Sequence, residues 1–183
     1  MTNIPVTAEV LRELLRYEPT TGVFTWRRRD RTWFTRDRDC NSFNAKYAGK
    51  VAGRVRIEPD GYTHFLIGVL RRDYRAGPLA WLYMTGEWPI AEIDHKDVNA
   101  LNNQWQNIRL ASDAEQASNR GLYKNNTTGF KGVSRSKTHG YYRAMIYANN
   151  KAFHLGYFKL AKEAAEAYRV AALTHHGQFA RTE

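Results

Sequence analysis

Apolar residues recur along this chain with two periods, and each period marks a different kind of element. Val10, Leu11, Leu14 and Leu15 lie at helical spacing behind Thr7, a good N-cap, and predict an opening helix. A turn at Pro19-Thr20-Thr21-Gly22 and a short strand at Val23-Phe24-Thr25-Trp26 follow. Residues 27–42 mix both charge signs, from Arg27-Arg28-Arg29-Asp30-Arg31 through Arg36-Asp37-Arg38-Asp39, and read as an exposed loop. Asp60-Gly61, flanked by Val55/Ile57 and by Tyr62, Phe65, Ile67 and Val69, is the strongest hairpin signal. Leu79-Ala80-Trp81-Leu82-Tyr83-Met84 reads as a short buried helix ended by Thr85-Gly86.

Ala91-Glu92-Ile93-Asp94 then enters a polar loop as a strand would, and Ile108-Arg109-Leu110-Ala111 alternates as a second strand. Ser112-Asp113-Ala114-Glu115 is a capping-box signature, so a short helix begins there, with Gln116 and Asn119 on one face. Residues 121–128 are polar and glycine-bearing and read as a linker. Three strand-like runs follow, at 130–135, 141–148 and 152–158, with turns at Thr138-His139-Gly140 and Asn149-Asn150. An alanine-rich helix is expected from Lys162 to His175, with Gly177 as its C-cap and His175-His176 as dipole-favoured caps. Its small residues let it sit close on a three-stranded sheet.

Composition narrows the partners. The 183 residues are 43% hydrophobic and carry a formal net charge of +10, which favours a polyanion. No apolar run approaches the roughly 18 residues needed to cross a bilayer, and residues 1–5 lack the pattern of a signal peptide. Cys40 is alone, which excludes a disulfide framework and a multi-cysteine zinc site. A cytoplasmic protein with no membrane partner is expected. The charge is uneven: residues 1–90 hold 15 Lys/Arg against 10 Asp/Glu, residues 91–120 hold 3 against 5, and residues 121–183 hold 10 against 3. An acidic island between basic flanks suits a cation site between surfaces that grip phosphates.

That island contains Asp94-His95, followed by Asn99, Asn102, Asn103 and Asn107. A carboxylate can hold a hard divalent cation, and a neighbouring neutral imidazole can take a proton from water near pH 7. An isolated Asp-His pair is more often a cap beside a surface histidine; the amides and the capped helix reverse those odds. Asn107 reads as a brace on the loop backbone, and Asn99, Asn102 and Asn103 as turn residues. In the C-terminal third, Arg135, Lys137, Arg143 and Lys151 with Tyr141 and Tyr142 make a basic, aromatic strand surface. The Arg27-Arg28-Arg29-Arg31 cluster reads equally as a backbone contact or a solvated loop.

Residues 91–119 resemble the HNH endonuclease module of the phage and homing-endonuclease branch, in Ile93-Asp94-His95-Lys96-Asp97, Leu101-Asn102-Asn103 and Asn107-Ile108-Arg109-Leu110-Ala111. That resemblance implies a ββα-metal fold, Asp94 as metal ligand, His95 as general base and Asn107 as brace. The second ligand falls on Gln116, where relatives usually carry Asn, with Asn119 as the alternate; the metal is Mg, with Mn as its substitute. The upstream half is similar to the same phage proteins in Leu14-Leu15-Arg16-Tyr17-Glu18-Pro19-Thr20-Thr21-Gly22 and Trp81-Leu82-Tyr83-Met84-Thr85-Gly86-Glu87-Trp88-Pro89. It departs where relatives carry His-Arg and this chain has Gly77-Pro78, a proline expected to disturb the helix start.

Residues 129–183 resemble the APETALA2/ethylene-response-factor DNA-binding domain, in Gly129-Phe130-Lys131-Gly132-Val133-Ser134, Tyr142-Arg143-Ala144, His154-Leu155-Gly156-Tyr157-Phe158 and Ala164-Ala165-Glu166-Ala167-Tyr168. That likeness implies a sheet that enters the major groove of double-stranded DNA through Arg135, Lys137, Tyr142, Arg143 and Lys151. The expectation is an α+β protein: an HNH region at 1–120, preceded in its core by small mixed α/β elements, and a three-stranded antiparallel sheet packed on one helix. It would hydrolyse DNA phosphodiesters. The rival is a DNA-binding protein whose HNH site is degenerate.

Overall fold

The computed structural model describes residues 5–123, 125–136 and 140–182, and among them five α-helices and four small sheets give a mixed α+β architecture. The chain divides into two compact units, Met1–Leu110 and Ala111–Glu183.

In the first unit, α1 (Ala8–Leu14) is capped by the Thr7 hydroxyl, which accepts from the Val10 N–H. The helix stops one residue short of the expected stripe, because Leu15 already belongs to β1 (Leu15–Glu18), which pairs antiparallel with β2 (Val23–Trp26). Leu11, Leu14, Leu15, Tyr17 and Phe24 are buried together in the core.

The expected loop at 27–42 is in large part helical. A 3-10 turn covers Arg31–Trp33, and α2 spans Asp37–Tyr47. Asp37 and Asp39 favour its N-terminus, and Phe43 packs edge-on against Trp26 and in tilted contact with Phe34 and Tyr47. The Arg29 guanidinium lies 4.1 Å from the Phe43 ring centroid, and burial lowers its pKa. Asn44 ties the same segment through its side-chain bonds to the Arg29 backbone. Local charge alternation hid a helix whose stability comes from aromatic contacts distant in sequence.

The Asp60-Gly61 hairpin joins β3 (Arg54–Ile57) to β4 (Thr63–Val69), and a third strand, β5 (Arg72–Arg75), completes that sheet. Its turn, Leu70-Arg71, adopts positive φ without glycine or asparagine, so no turn signal announced it. Ile67 and Val69 point into the core. The next helix, α3 (Ala76–Thr85), buries Leu79, Ala80 and Leu82 and ends at Gly86 in the left-handed conformation. Pro78 does not disturb it. The proline sits in the first turn, where a backbone N–H has no partner within the helix.

A two-stranded sheet of β6 (Glu92–His95) and β7 (Ile108–Ala111) follows. Ile108 is buried, and Ile93 and Trp105 pack on the same core, so the strand bearing Asp94 and His95 is anchored by its apolar neighbours.

The second unit begins with α4 (Asp113–Asn119), whose capping box is formed as the sequence predicts. Then β8 (Val133–Arg135), β9 (Tyr142–Ala148) and β10 (Lys151–Phe158) make an antiparallel sheet in the order β10-β9-β8. The helix α5 (Ala161–His176) packs on it: Ala164 meets Val133 and Ala144, and Tyr168 and Ala172 meet Ile146. Gly132 has φ +69, and a Cβ there would fall 2.0 Å from the Tyr168 ring, so only glycine fits. The turn expected at Thr138-His139 and the candidate Lys137 lie outside the described residues. Among the described residues, no helix is long and apolar enough to cross a membrane.

Candidate functional site

The last two residues of β6 are Asp94 and His95, and the loop that follows is fixed by side chains from its own sequence. Asp97 accepts from the Asn99 N–H at 2.9 Å, from Asn107 Nδ2 at 2.9 Å and from Asn102 Nδ2 at 2.7 Å. Partial burial pushes the Asp97 pKa up, but these hydrogen bonds and the nearby His95 outweigh it and lower it. Asn107 is 8% exposed. Its Nδ2 also donates to the Asn102 carbonyl at 2.8 Å, and its Oδ1 accepts the Asp97 N–H at 3.1 Å. A side chain at one end of the loop thus bonds the backbone at two other points, which is what a brace requires. The network holds a tight turn, with the Val98 N–H on the His95 carbonyl and Val98 at φ +63.

Asp94 is paired. Arg109 Nε and Nη2 both approach its Oδ2 at 2.8 Å, and the two side chains are only 12% and 11% exposed. Sequence reasoning missed this partner; the only available signal was that both residues lie on strands expected to pair. His95 Nε2 stands 3.1 Å from the Asn103 Oδ1. Asn103, expected to be a turn residue, is 3% exposed and is the most buried polar residue of the loop.

Gln116 and Asn119 lie on α4, in the second unit; Gln116 is half-buried and Asn119 buried. The C-terminal end of that helix is held within its own unit. Lys131 donates to the Ser118 carbonyl at 2.5 Å, and His176 Nδ1 lies 3.1 Å from the Ser118 hydroxyl. Burial, with Arg181 nearby, lowers the Lys131 pKa to about 8. Burial also lowers the His176 pKa, helped by Lys131 and His175, and the half-buried ring sits in the last turn of α5, where the sequence expects a cap. His175 instead stacks on Phe153.

Among the described residues, no three His, Cys, Asp or Glu side chains are grouped to hold a metal. Oxygen donors such as the Asp94 carboxylate suit a hard divalent ion that completes its shell with water and phosphate. They do not fit a closed Cys/His centre.

On the C-terminal sheet, strand register separates the candidates expected to share a face. Arg143 is cross-strand to Ser134 and Tyr157, and together with Arg135 and Ser136 they line an open depression of about 220 Å³. Tyr142, one residue away, packs instead on the helix-side cluster with Val133 and Phe158. Lys151 opposite Ala148 starts β10 at the Asn149-Asn150 turn. The missed aromatic is Tyr157, 60% exposed beside His154. Two-residue alternation would have placed it on the helix side with Phe153 and Leu155; the register shift between His154 and Gly156 turns Phe158 inward instead and leaves Tyr157 exposed.

Residues 75–118 match the HNH endonuclease family model, a span holding Asp94, His95, Asn103, Asn107 and Gln116. An HNH endonuclease domain supports a nuclease, and so a hydrolase, role with DNA as substrate. The chain is 39% identical over 89 residues to protein 3.8 of Escherichia phage T7, covering 49% of this chain and 73% of the phage protein. It belongs to the family of that phage protein. It is also similar to the AP2-like ethylene-responsive transcription factor PLT2 of Arabidopsis thaliana, 33% identical over 95 residues, or 51% of this chain and 16% of the plant protein.

Proposed function

We propose that the protein is a metal-dependent endonuclease that hydrolyses phosphodiester bonds of double-stranded DNA and grips it with its C-terminal sheet. The observation that carries this reading is His95, oriented by a buried amide beside Asp94, in a loop braced by Asn107 and inside the matched HNH span. His95 takes a proton from water, and the hydroxide so formed attacks phosphorus. The phosphorus–oxygen ester bond then breaks, and the leaving oxygen takes a proton from solvent. Asp94 is the proposed ligand of a divalent metal, Mg or Mn, with Gln116 proposed as second ligand and Asn119 as its alternate. Such an ion supplies charge neutralisation at the scissile phosphate. Arg143 and Arg135 contribute base or phosphate contacts and Lys151 a phosphate contact, and the APETALA2-like arrangement of sheet and helix is the form this grip takes.

A second reading, a DNA-binding protein with a retired site, draws on two observations. Arg109 occupies the Asp94 carboxylate, and the longer Gln116 stands where relatives usually carry Asn. Supercoiled plasmid separates the two. The endonuclease reading expects nicked or linear product in Mg and none in EDTA; intact plasmid under both conditions, with DNA still bound, favours the retired site.

A further inference from the structure

The amide of Asn103 has one orientation that satisfies it. Its Nδ2 donates to the Leu101 carbonyl at 3.2 Å, so its Oδ1 is the end that faces His95 Nε2 at 3.1 Å. Two acceptors cannot share a hydrogen bond, so Nε2 carries the ring hydrogen and Nδ1 carries the lone pair.

Asn103 is itself held from three directions. Its backbone carbonyl accepts the Tyr17 hydroxyl at 2.7 Å in a buried contact. The turn between β1 and β2 presses on the same peptide: a Cβ on Gly22 would lie 2.4 Å from the Asn103 carbonyl carbon, and the Trp105 N–H donates to the Pro19 carbonyl at 2.9 Å. On the third side the first turn of α3 passes close. A Cβ on Gly77 would lie 3.0 Å from Ile93 Cγ2 and 3.4 Å from Asn103 Oδ1. An added Cβ at Gly77 would press on Ile93 and come into ordinary contact with the amide that faces His95.

We infer that Asn103 is a positioning residue that fixes His95 in the Nε2–H tautomer, leaving Nδ1 as the atom that accepts the proton from water. The N-terminal hairpin and α3 are the frame that keeps its amide in place. The functional half rests on the endonuclease reading; the tautomer does not.

The test uses long-range proton–nitrogen NMR correlations on the full-length ¹⁵N-labelled protein, at a pH where the His95 ring is neutral, alongside single-turnover plasmid nicking. Wild type is expected to show a protonated Nε2 and an unprotonated Nδ1. Asn103→Ala should show mixed tautomers and a nicking rate lower by on the order of 10²-fold, the cost of a catalytic group displaced by about 1 Å, with substrate affinity little changed. Asn103→Asp keeps an acceptor in the same place, so it should retain the Nε2–H pattern and nick faster than Asn103→Ala. Where Asn103→Ala fails to fold, the wild-type and Asn103→Asp spectra still decide. A wild-type ring protonated at Nδ1, or an Asn103→Asp ring that loses the Nε2–H form, overturns the inference. So does a folded Asn103→Ala protein with wild-type tautomer and rate. If His95→Ala nicks as fast as wild type, the endonuclease assignment of this site fails while the tautomer result stands.

Discussion

Replacing Asn107 separates a structural brace from a passive turn residue. Asn107→Ala deletes three hydrogen bonds: Nδ2 to the Asp97 carboxylate at 2.9 Å, Nδ2 to the Asn102 carbonyl at 2.8 Å, and the one accepted from the Asp97 N–H at 3.1 Å. Neutral bonds contribute about 1 kcal/mol each and a charge-assisted one about 1.5–3 kcal/mol, giving a ceiling of roughly 4–5 kcal/mol. Asp97 is exposed and Asn102 half-buried, so water replaces part of what is lost, and a net cost of about 2–3 kcal/mol is expected. Asn107→Asp is the informative partner. It keeps the acceptor for the Asp97 N–H but sets a second carboxylate against the first, adding roughly 1 kcal/mol of repulsion in a well-solvated setting. Asp is therefore expected to be at least as damaging as Ala at pH 7. That disadvantage should fade as the pH falls through the carboxylate range near 4. Urea unfolding followed by tryptophan fluorescence measures both. An Asn107→Ala protein within about 0.5 kcal/mol of wild type, the range of ordinary surface changes, refutes the brace. An Asn107→Asp protein more stable than Asn107→Ala at pH 7 refutes the electrostatic part.

Other consequences can be checked separately. Arg143→Ala should weaken DNA binding and flatten the plot of log affinity against log salt by about 0.9, the share of one phosphate contact; an unchanged slope in a gel-shift series places the grip elsewhere. Lys131 has a depressed pKa, so the folded state holds fewer protons than the unfolded chain between about pH 8 and the ordinary lysine value. Stability should therefore rise across that window in thermal melts, and Lys131→Met should remove this contribution to the rise; an identical pH profile in both proteins contradicts it. Arg109→Leu removes one partner of a carboxylate that is only 12% exposed and should cost about 2–4 kcal/mol of stability without metal. Added Mn should recover part of that loss if Asp94 is a metal ligand, and identical melting with and without Mn argues against it.

Much of this was legible because local signals and tertiary demands agree. The Ser112–Glu115 capping box, the Asp60-Gly61 hairpin and the Asn149-Asn150 turn all form where sequence rules put them. The helix α2 was not legible, because Phe43 finds Trp26 and Phe34 only in the folded chain. The strand β5 was hidden by a turn that takes positive φ at Leu70 and Arg71. At the site, Asp94, His95 and Asn107 could be picked from residue type and spacing. Asn103 and Arg109 could not, since an asparagine among asparagines and an arginine in a strand carry no mark of the His95 ring and the Asp94 carboxylate they meet. Nor did charge alone reveal that Arg143 and Tyr142 face opposite sides; strand register decides that.

The central claim is that His95 activates the water that cuts DNA. Single-turnover nicking of supercoiled plasmid in Mg by wild type and by His95→Ala tests it most directly, with binding checked by gel shift. The predicted result is unchanged DNA binding and a rate lower by about 10²–10⁴-fold, the contribution of a general base. Equal rates, or an equally intact plasmid in both, would contradict it.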